Sequence, residues 1–416
     1  MDKRLVYTKV KTFNNSFKKE EYKKIPCKEG EANLNEGGEK TFEFNYDKML
    51  AYFRESMIME KFEIKDTVDE ISLENDYFAA KYSSAKVKYG TEDIESITSS
   101  VGEASTIMQC VSTSETFRRT YGALSGWFPD SGDKADANNK GFAARKEYYN
   151  GKTTVTIFYP LRLLFGIFSD YPKVFFGIPN ITLILNRNTD DAIAKRIFFG
   201  SKLKSVTPPA GTPTDVLPSF KTKKLEWWIP VLTPNLAAET FFNNQLNNNK
   251  NVEMGSMKHR MAKTTFSVEN FTWTIAEVKK HVRFIFLGFK TDRDDAKKNN
   301  NLFTGTTLRK LQVSLNGEDY PAMNFNFTDG DAGEPYLAYV KACEFFQTEP
   351  QFNIKEFTTF YPIFAFNTTS QLETLDGNSV SITIEKEGTA QITAFCLMLE
   401  ESYTIVNLGD HSVKKL

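Results

Sequence analysis

The sequence predicts an all-β protein, with short helices in loops and in one linker, arranged as two β-sandwiches of similar size. Three observations carry this expectation. Aromatic residues make up 14% of the 416 positions and phenylalanine supplies 36 of them, many set among Thr, Ser, Val and Ile in the short runs that strands favour. These runs fall into two regions on either side of one Asn-rich segment near residues 235–251. Long polar loops separate them, as in jelly rolls, whose paired sheets wind through Greek keys.

Along the chain, residues 1–40 read as an N-terminal arm, rich in Lys, Glu, Asn and Gly and poor in aliphatics. Within its first 28 residues Lys3, Arg4, Lys9, Lys11, Lys18, Lys19, Lys23, Lys24 and Lys28 face only Asp2, Glu20 and Glu21. Two readings stand for it: a solvated tail, or a basic arm with Phe13, Phe17 and Tyr22 as apolar anchors. Residues 45–126 are the least regular. NYDKMLAYFRESMIMEKFEI fits helix and strand templates equally, and EDIESITSSVGEASTIMQC leans helical.

DSGDKADANNK, 130–140, reads as a loop, and TTVTIF, 153–158, as a strand stopped by Tyr159 and Pro160. The most apolar run, FYPLRLLFGIFSDYPKVFFGIPNITLIL at 158–185, carries prolines at 160, 172 and 179, which rule out a single helix or strand. Leu161, Leu164, Phe165 and Phe168 follow the i, i+3, i+4, i+7 spacing of a short amphipathic helix with Pro160 at its start. Such a helix would plug one end of the first sandwich. KVFFGIP then reads as extended, and NITLILNRN and KRIFFGSKL as strands; TPPAGTPTDVLPS is a Pro-rich loop and KLEWWIPVLTP, 224–234, a strand. Neighbouring side chains in a strand face opposite ways, so at least one of Trp227 and Trp228 faces the core and the pair reads as core plus interface.

These elements place the first jelly roll at 41–232. NLAAETFFNNQLNNNKN has helical spacing at Ala238, Phe242 and Leu246 and forms a linker helix at 233–250. The second jelly roll, 251–416, contains TTFSVENFTWTI, VRFIFLGF, RKLQVSLNG, AMNFNF, EFTTFYPIFAFN, SVSITIEK, TAQITAFCLML and SYTIVNL. TIFYPL at 156–161 is echoed by TTFYPI at 358–363, which sets Tyr361 and Pro362 beside Pro160 as candidates for assembly.

The same residues weigh against catalysis. GALSG at 122–126 misplaces its serine for a nucleophile elbow, and Gly151-Lys152-Thr153 lacks the upstream glycine of a P-loop. His259, His281 and His411 are scattered, and the acidic loops Asp130, Asp133, Asp136 and Asp329, Asp331, Glu334 do not follow EF-hand spacing. Cys27, Cys110, Cys343 and Cys396 form no CxxC pair and read as buried thiols. Neither a leader nor a run of some 20 apolar residues is present, so a soluble, unsecreted chain is expected. Net charge is −1, with no overall basic excess for nucleic acid. The expectation is a non-enzyme with no catalytic residue, cofactor or metal; a carbohydrate-binding or adhesion sandwich is the alternative reading.

TIFYPLRLLFGIFSDYPKVFFGIPNITLILNRN resembles the first jelly roll of double jelly-roll major capsid proteins, and FTTFYPIFAFNTTSQLETLDGNSVSITIEK followed by TAQITAFCLMLEESYTIVNL is similar to the closing strands of their second. The nearest texture is that of polinton or Maverick elements and of adintovirus-like or virophage-like eukaryotic DNA viruses. The resemblance implies two upright eight-stranded sandwiches and a homotrimer that tiles an icosahedral shell as a pseudo-hexagon. It further implies a penton protein and minor capsid proteins as partners. The basic arm would touch packaged DNA or an internal membrane. The expected location is the virion, after synthesis in the host cytoplasm and assembly there or in the nucleus. Pro160, Leu164, Phe165, Phe168, Trp227, Trp228, Tyr361 and Pro362 are the structural candidates.

Overall fold

Among the described residues, two sandwiches with one and the same pairing order are each framed by eight principal strands, with a few shorter paired strands besides. The computed structural model describes residues 17–45, 50–65, 70–176, 180–202, 204–206, 214–216, 218–248, 250–278, 281–291, 296–370 and 378–415. The first sandwich contains β1 (Phe17–Pro26), β2 (Gly38–Asn45), β3 (Met57–Lys65), β4 (Tyr82–Tyr89), β5 (Glu92–Ile97), β6 (Val155–Pro160), β7 (Asn180–Arg187) and β8 (Ser219–Pro234). The second contains β9 (Asn251–Phe266), β10 (Asn270–Val278), β11 (Val282–Lys290), β12 (Leu308–Leu315), β13 (Glu318–Asp319), β14 (Phe364–Asn367), β15 (Asn378–Lys386) and β16 (Ile392–Asn407).

Sheets β1-β8-β3-β6 and β2-β7-β4-β5 face each other in the first sandwich, and β9-β16-β11-β14 and β10-β15-β12-β13 in the second. In each, the first strand pairs with the last and the second with the next to last, the winding of a jelly roll. The β9–β16 ladder runs unbroken from Asn251↔Asn407 to Phe266↔Ile392.

Burial explains why the strands differ in texture. β12 alternates buried and half-exposed residues, as a sheet with one solvated face does. VRFIFLGFK in β11 and AFCLMLE in β16 are buried almost throughout because their sheet is covered twice. Ile285, Leu287, Phe289, Cys396 and Met398 fill the core of the second sandwich. Phe284, Phe286, Phe395, Leu397 and Leu399 on the opposite face join the core of the first. Two helices lie over that face: α1 (Val101–Ser112), buried from Val101 to Val111, and α6 (Gly333–Phe345). At α1, Gly102 permits close approach, since a Cβ there would lie 2.9 Å from Ala80 Cα.

Between α1 and α6 the chain also forms α2 (Lys140–Tyr149), α3 (Gly166–Asp170), α4 (Asp190–Ile197) and α5 (Leu236–Asn247); α7 (Ile354–Phe360) follows α6. α5 occupies the linker, with the Asn235 side chain accepting from the Ala238 N–H at 2.8 Å. None of its residues is buried.

Four expectations are corrected. Residues 17–26 are a strand, not part of an arm, so the first jelly roll starts well before residue 41; Ile25 is buried, and lysines blunt the free edge of β1. The helix expected across 161–168 is broken into a 3₁₀ turn at Leu161–Leu163 and the short α3. KRIFFGSKL is not one strand: α4 ends within it and, among its described residues, only Phe198–Gly200 pairs, with Ile71–Leu73. EFTTFYPIFAFN begins as α7, held by a capping box between Asn353 and Glu356, before β14 starts.

Candidate functional site

The two jelly rolls meet through a buried polar joint inside the shared apolar layer. Its centre is Glu95 on β5. One carboxylate oxygen accepts the Gly166 N–H at 3.0 Å and the His259 N–H at 2.8 Å, and the other accepts the Ile167 N–H at 3.1 Å. One side chain thus ties the start of α3 to β9 of the second roll. Asp170, at the end of α3, accepts the Met257 N–H at 2.8 Å, and the ring Nδ1 of His259 lies 2.7 Å from the Leu164 carbonyl oxygen. The chain can approach so closely because residue 166 is glycine: a Cβ there would fall 1.7 Å from the Met257 carbonyl oxygen.

Burial pushes Glu95 up to about 7 even though three N–H donors pull it down. It pushes His259 down to about 4, so the imidazole is neutral.

A second cluster surrounds the segment 296–302 of the second roll. The Asn300 N–H donates to Glu74 at 2.6 Å, Asn299 to Asp130 at 2.7 Å and Asn301 to Thr106 at 2.8 Å. Asp130 is fully buried and paired with Arg145 at 2.8 Å. Glu103 on α1 lies between Arg196 at 3.2 Å and Lys290 at 3.4 Å. Glu74, Asp76, Glu103, Arg196 and Lys290 are among the groups that line a cavity of about 20 Å³, in which Glu74 Oε2 has no hydrogen-bond partner among the described residues. Burial raises Glu74 to about 8 and Asp76 to about 7. A space of this size holds one water molecule.

A third set locks α1 and α6. Trp127 Nε1 donates to Gln351 at 3.1 Å, and Gln351 Nε2 donates to the carbonyl of Gln109 at 2.5 Å. Tyr339 donates to the Cys110 carbonyl at 3.0 Å. These polar groups satisfy one another in the interior and fix the relative placement of the rolls.

The residues singled out in the sequence divide between this joint and the surface. Pro160, Leu164, Phe165 and Phe168 are buried, and Phe168 stacks on Phe53 at 5.4 Å and tilts against Trp227 at 6.3 Å. Trp227 faces the core. Trp228 faces out, between Tyr22 at 5.7 Å and Phe158 at 5.0 Å, with Lys24 Nζ 4.2 Å over its ring. Tyr361 lies in the joint, where its hydroxyl accepts the Asp130 N–H at 2.8 Å and its ring stacks on Phe352 at 4.4 Å; Pro362 beside it is buried. Lys18, Lys19, Lys23 and Lys24 are on β1, whereas Lys3, Arg4, Lys9 and Lys11 lie outside the described residues.

Among the described residues no three His, Cys, Asp or Glu side chains are grouped to hold a metal ion. All four cysteines are buried and free, and burial pushes Cys27 and Cys343 up to about 12, which keeps these thiols protonated. The groups that make the joint, Glu95, Asp170, Glu74, Asp76 and Gln351, carry no motif; only the bulk of charged residues in otherwise apolar stretches hints at them.

Two sandwiches with one winding order, joined through a common buried layer, define a double jelly-roll protein. The double jelly-roll-like domain model matches residues 71–404, and the chain belongs to this family. Its fold is shared with viral capsid proteins. The Sputnik virophage cryo-EM structure aligns over 100% of this chain and 92% of the matched chain, at TM-score 0.68 and 11% identity. The Faustovirus major capsid protein aligns over 96% and 92%, at TM-score 0.63 and 9% identity. The mavirus major capsid protein aligns over 95% and 90%, at TM-score 0.55 and 10% identity. No curated protein sequence matches.

Proposed function

We propose that this chain is the major capsid protein of an icosahedral DNA virus or virus-like element, and that it builds homotrimeric, pseudo-hexagonal capsomers. The observation that carries the reading is the joint: a sheet buried on both faces and a set of buried hydrogen bonds fuse two jelly rolls into one block. A rigid two-roll block is what a tile needs, because three copies then present six similar rolls around one axis. The fold shared with virophage and giant-virus capsid proteins supports the same conclusion. A penton protein and minor capsid proteins are the expected partners in the virion, and residues 1–16 are the segment left to contact packaged DNA or an internal membrane.

Light scattering and negative-stain microscopy of purified protein test this. Trimers at micromolar concentration, with pseudo-hexagonal particles or shells at higher concentration, are expected. A stable monomer with no higher assembly would reject the reading in favour of an isolated binding sandwich.

A further inference from the structure

The outer face of the sheet β1-β8-β3-β6, opposite Trp227, carries a cationic hollow rimmed by aromatic rings. Tyr22, Arg54, Glu55, Met57, Tyr121, Pro160 and Arg162 line it, and its volume is about 190 Å³. Arg162 is half-buried and its guanidinium lies 5.5 Å from the centre of the Phe117 ring. Among the described residues, neither Arg162 nor Arg54 has a hydrogen bond or an ion pair within 4.0 Å. Arg54 and Arg162 instead repel each other, and Glu55 is the carboxylate that acts on Arg162.

Aromatic side chains are exposed at the hollow. Tyr22 is 42% and Tyr121 56% exposed, and the strip Tyr22–Trp228–Phe158 continues it across the sheet. Aromatic and Arg side chains are the groups that dominate protein interfaces, with Arg favoured where a carboxylate is gripped by two parallel N–H donors.

We propose that this hollow is a contact surface for a second copy of this chain and that Arg54 and Arg162 grip an exposed carboxylate side chain of that copy. The inference rests on the capsomer reading and names the surface that reading leaves open. Charge selects the partner. Arg54 and Arg162 outnumber Glu55 by one here, in a chain whose net charge is −1, so the remainder of each copy is acidic by two charges. In a cyclic trimer each interface joins two different patches, so the hollow on one copy meets a different surface of the next, where an exposed carboxylate would pair with its arginines. Closing the hollow removes water from Arg162 and pairs it in the same step, which strengthens the contact relative to an exposed ion pair.

The test uses the full chain. Arg54→Glu and Tyr121→Ser alter exposed side chains, and circular dichroism reports whether each remains folded. Both should raise the concentration at which the oligomer half-dissociates by at least tenfold, and added NaCl should raise it for the wild type. Arg54→Lys supplies an amine in place of the guanidinium, so a zero-length carbodiimide should join it through an amide to an Asp or Glu of another copy. Mixing isotopically heavy and light protein identifies that link as one between copies. A wild type that is monomeric throughout refutes the capsomer reading itself. A wild-type oligomer that both variants match within twofold, or a link from position 54 only to Glu55 of its own chain, overturns this surface and leaves the capsomer reading intact.

Discussion

Replacing Glu95 with alanine should loosen the joint between the rolls, and its size follows from the contacts. The carboxylate accepts three backbone N–H groups, from Gly166, Ile167 and His259, at 2.8–3.1 Å. Each buried donor left without an acceptor costs about 1–3 kcal/mol, which sets a range of roughly 3–9 kcal/mol for the three. Water entering the vacated space and relief from burying the acid reduce this, so about 3–5 kcal/mol is expected. At about 2–4 °C per kcal/mol for a domain of this size, melting should fall by roughly 6–20 °C. Glu95→Gln keeps one acceptor oxygen for Gly166 and His259 and turns its amide nitrogen toward the Ile167 N–H. It should therefore lose only about 1–3 kcal/mol. Thermal melting near pH 8, where Glu95 is ionised, with hydrogen exchange at the three amides, measures both variants. If Glu95→Ala melted within about 1 °C of the wild type, with those amides still protected, Glu95 would not hold the rolls together.

Three further outcomes follow from the geometry. Glu74, Asp76 and Glu95 are raised by burial to about 8, 7 and 7, so each binds more protons folded than unfolded and destabilises the fold as pH rises toward those values. His259, lowered to about 4, acts the other way below 6.5, and Lys81, lowered to about 8, acts the other way above 8. Melting temperature should then fall between pH 6.5 and 8, and Glu74→Gln with Asp76→Asn should flatten that slope; a wild type equally stable across the window contradicts the assignment. Phe168→Ala should cost about 3–5 kcal/mol of stability, and Phe168→Asp, which buries an unpaired charge against Phe53 and Trp227, should yield insoluble protein on expression. Deleting residues 1–16 should leave a folded protein with impaired, less salt-sensitive shell assembly. Deleting residues 1–28 also removes β1 and uncovers the edge of β8, so it should aggregate; normal assembly of the shorter truncation would show that residues 1–16 take no part.

What the sequence determines by itself here is local. Strand periodicity in NITLILNRN, KLEWWIPVLTP and SVSITIEK depends only on side chains alternating across a pleated strand; the last two lie within a strand of the fold and the first fills one as far as Arg187. The helical spacing of Ala238, Phe242 and Leu246 announces α5 for the same reason, since a helical face repeats within a few residues. Tertiary structure decides the rest. The helix expected over 161–168 breaks because Gly166 must pass against Met257 on a strand of the other roll, a constraint absent from the run itself. The lysine-rich residues 18–24 look like a solvated arm until β8 offers them a partner, from Lys19↔Thr233 to Lys24↔Trp228. Strands β11 and β16 show their two-sided burial only as unbroken apolar runs, which do not say what covers the second face. Glu95 could not be singled out at all: its partner His259 is 164 residues away. Whether a carboxylate is solvated or buried among N–H donors depends on segments that meet only when the whole chain has folded.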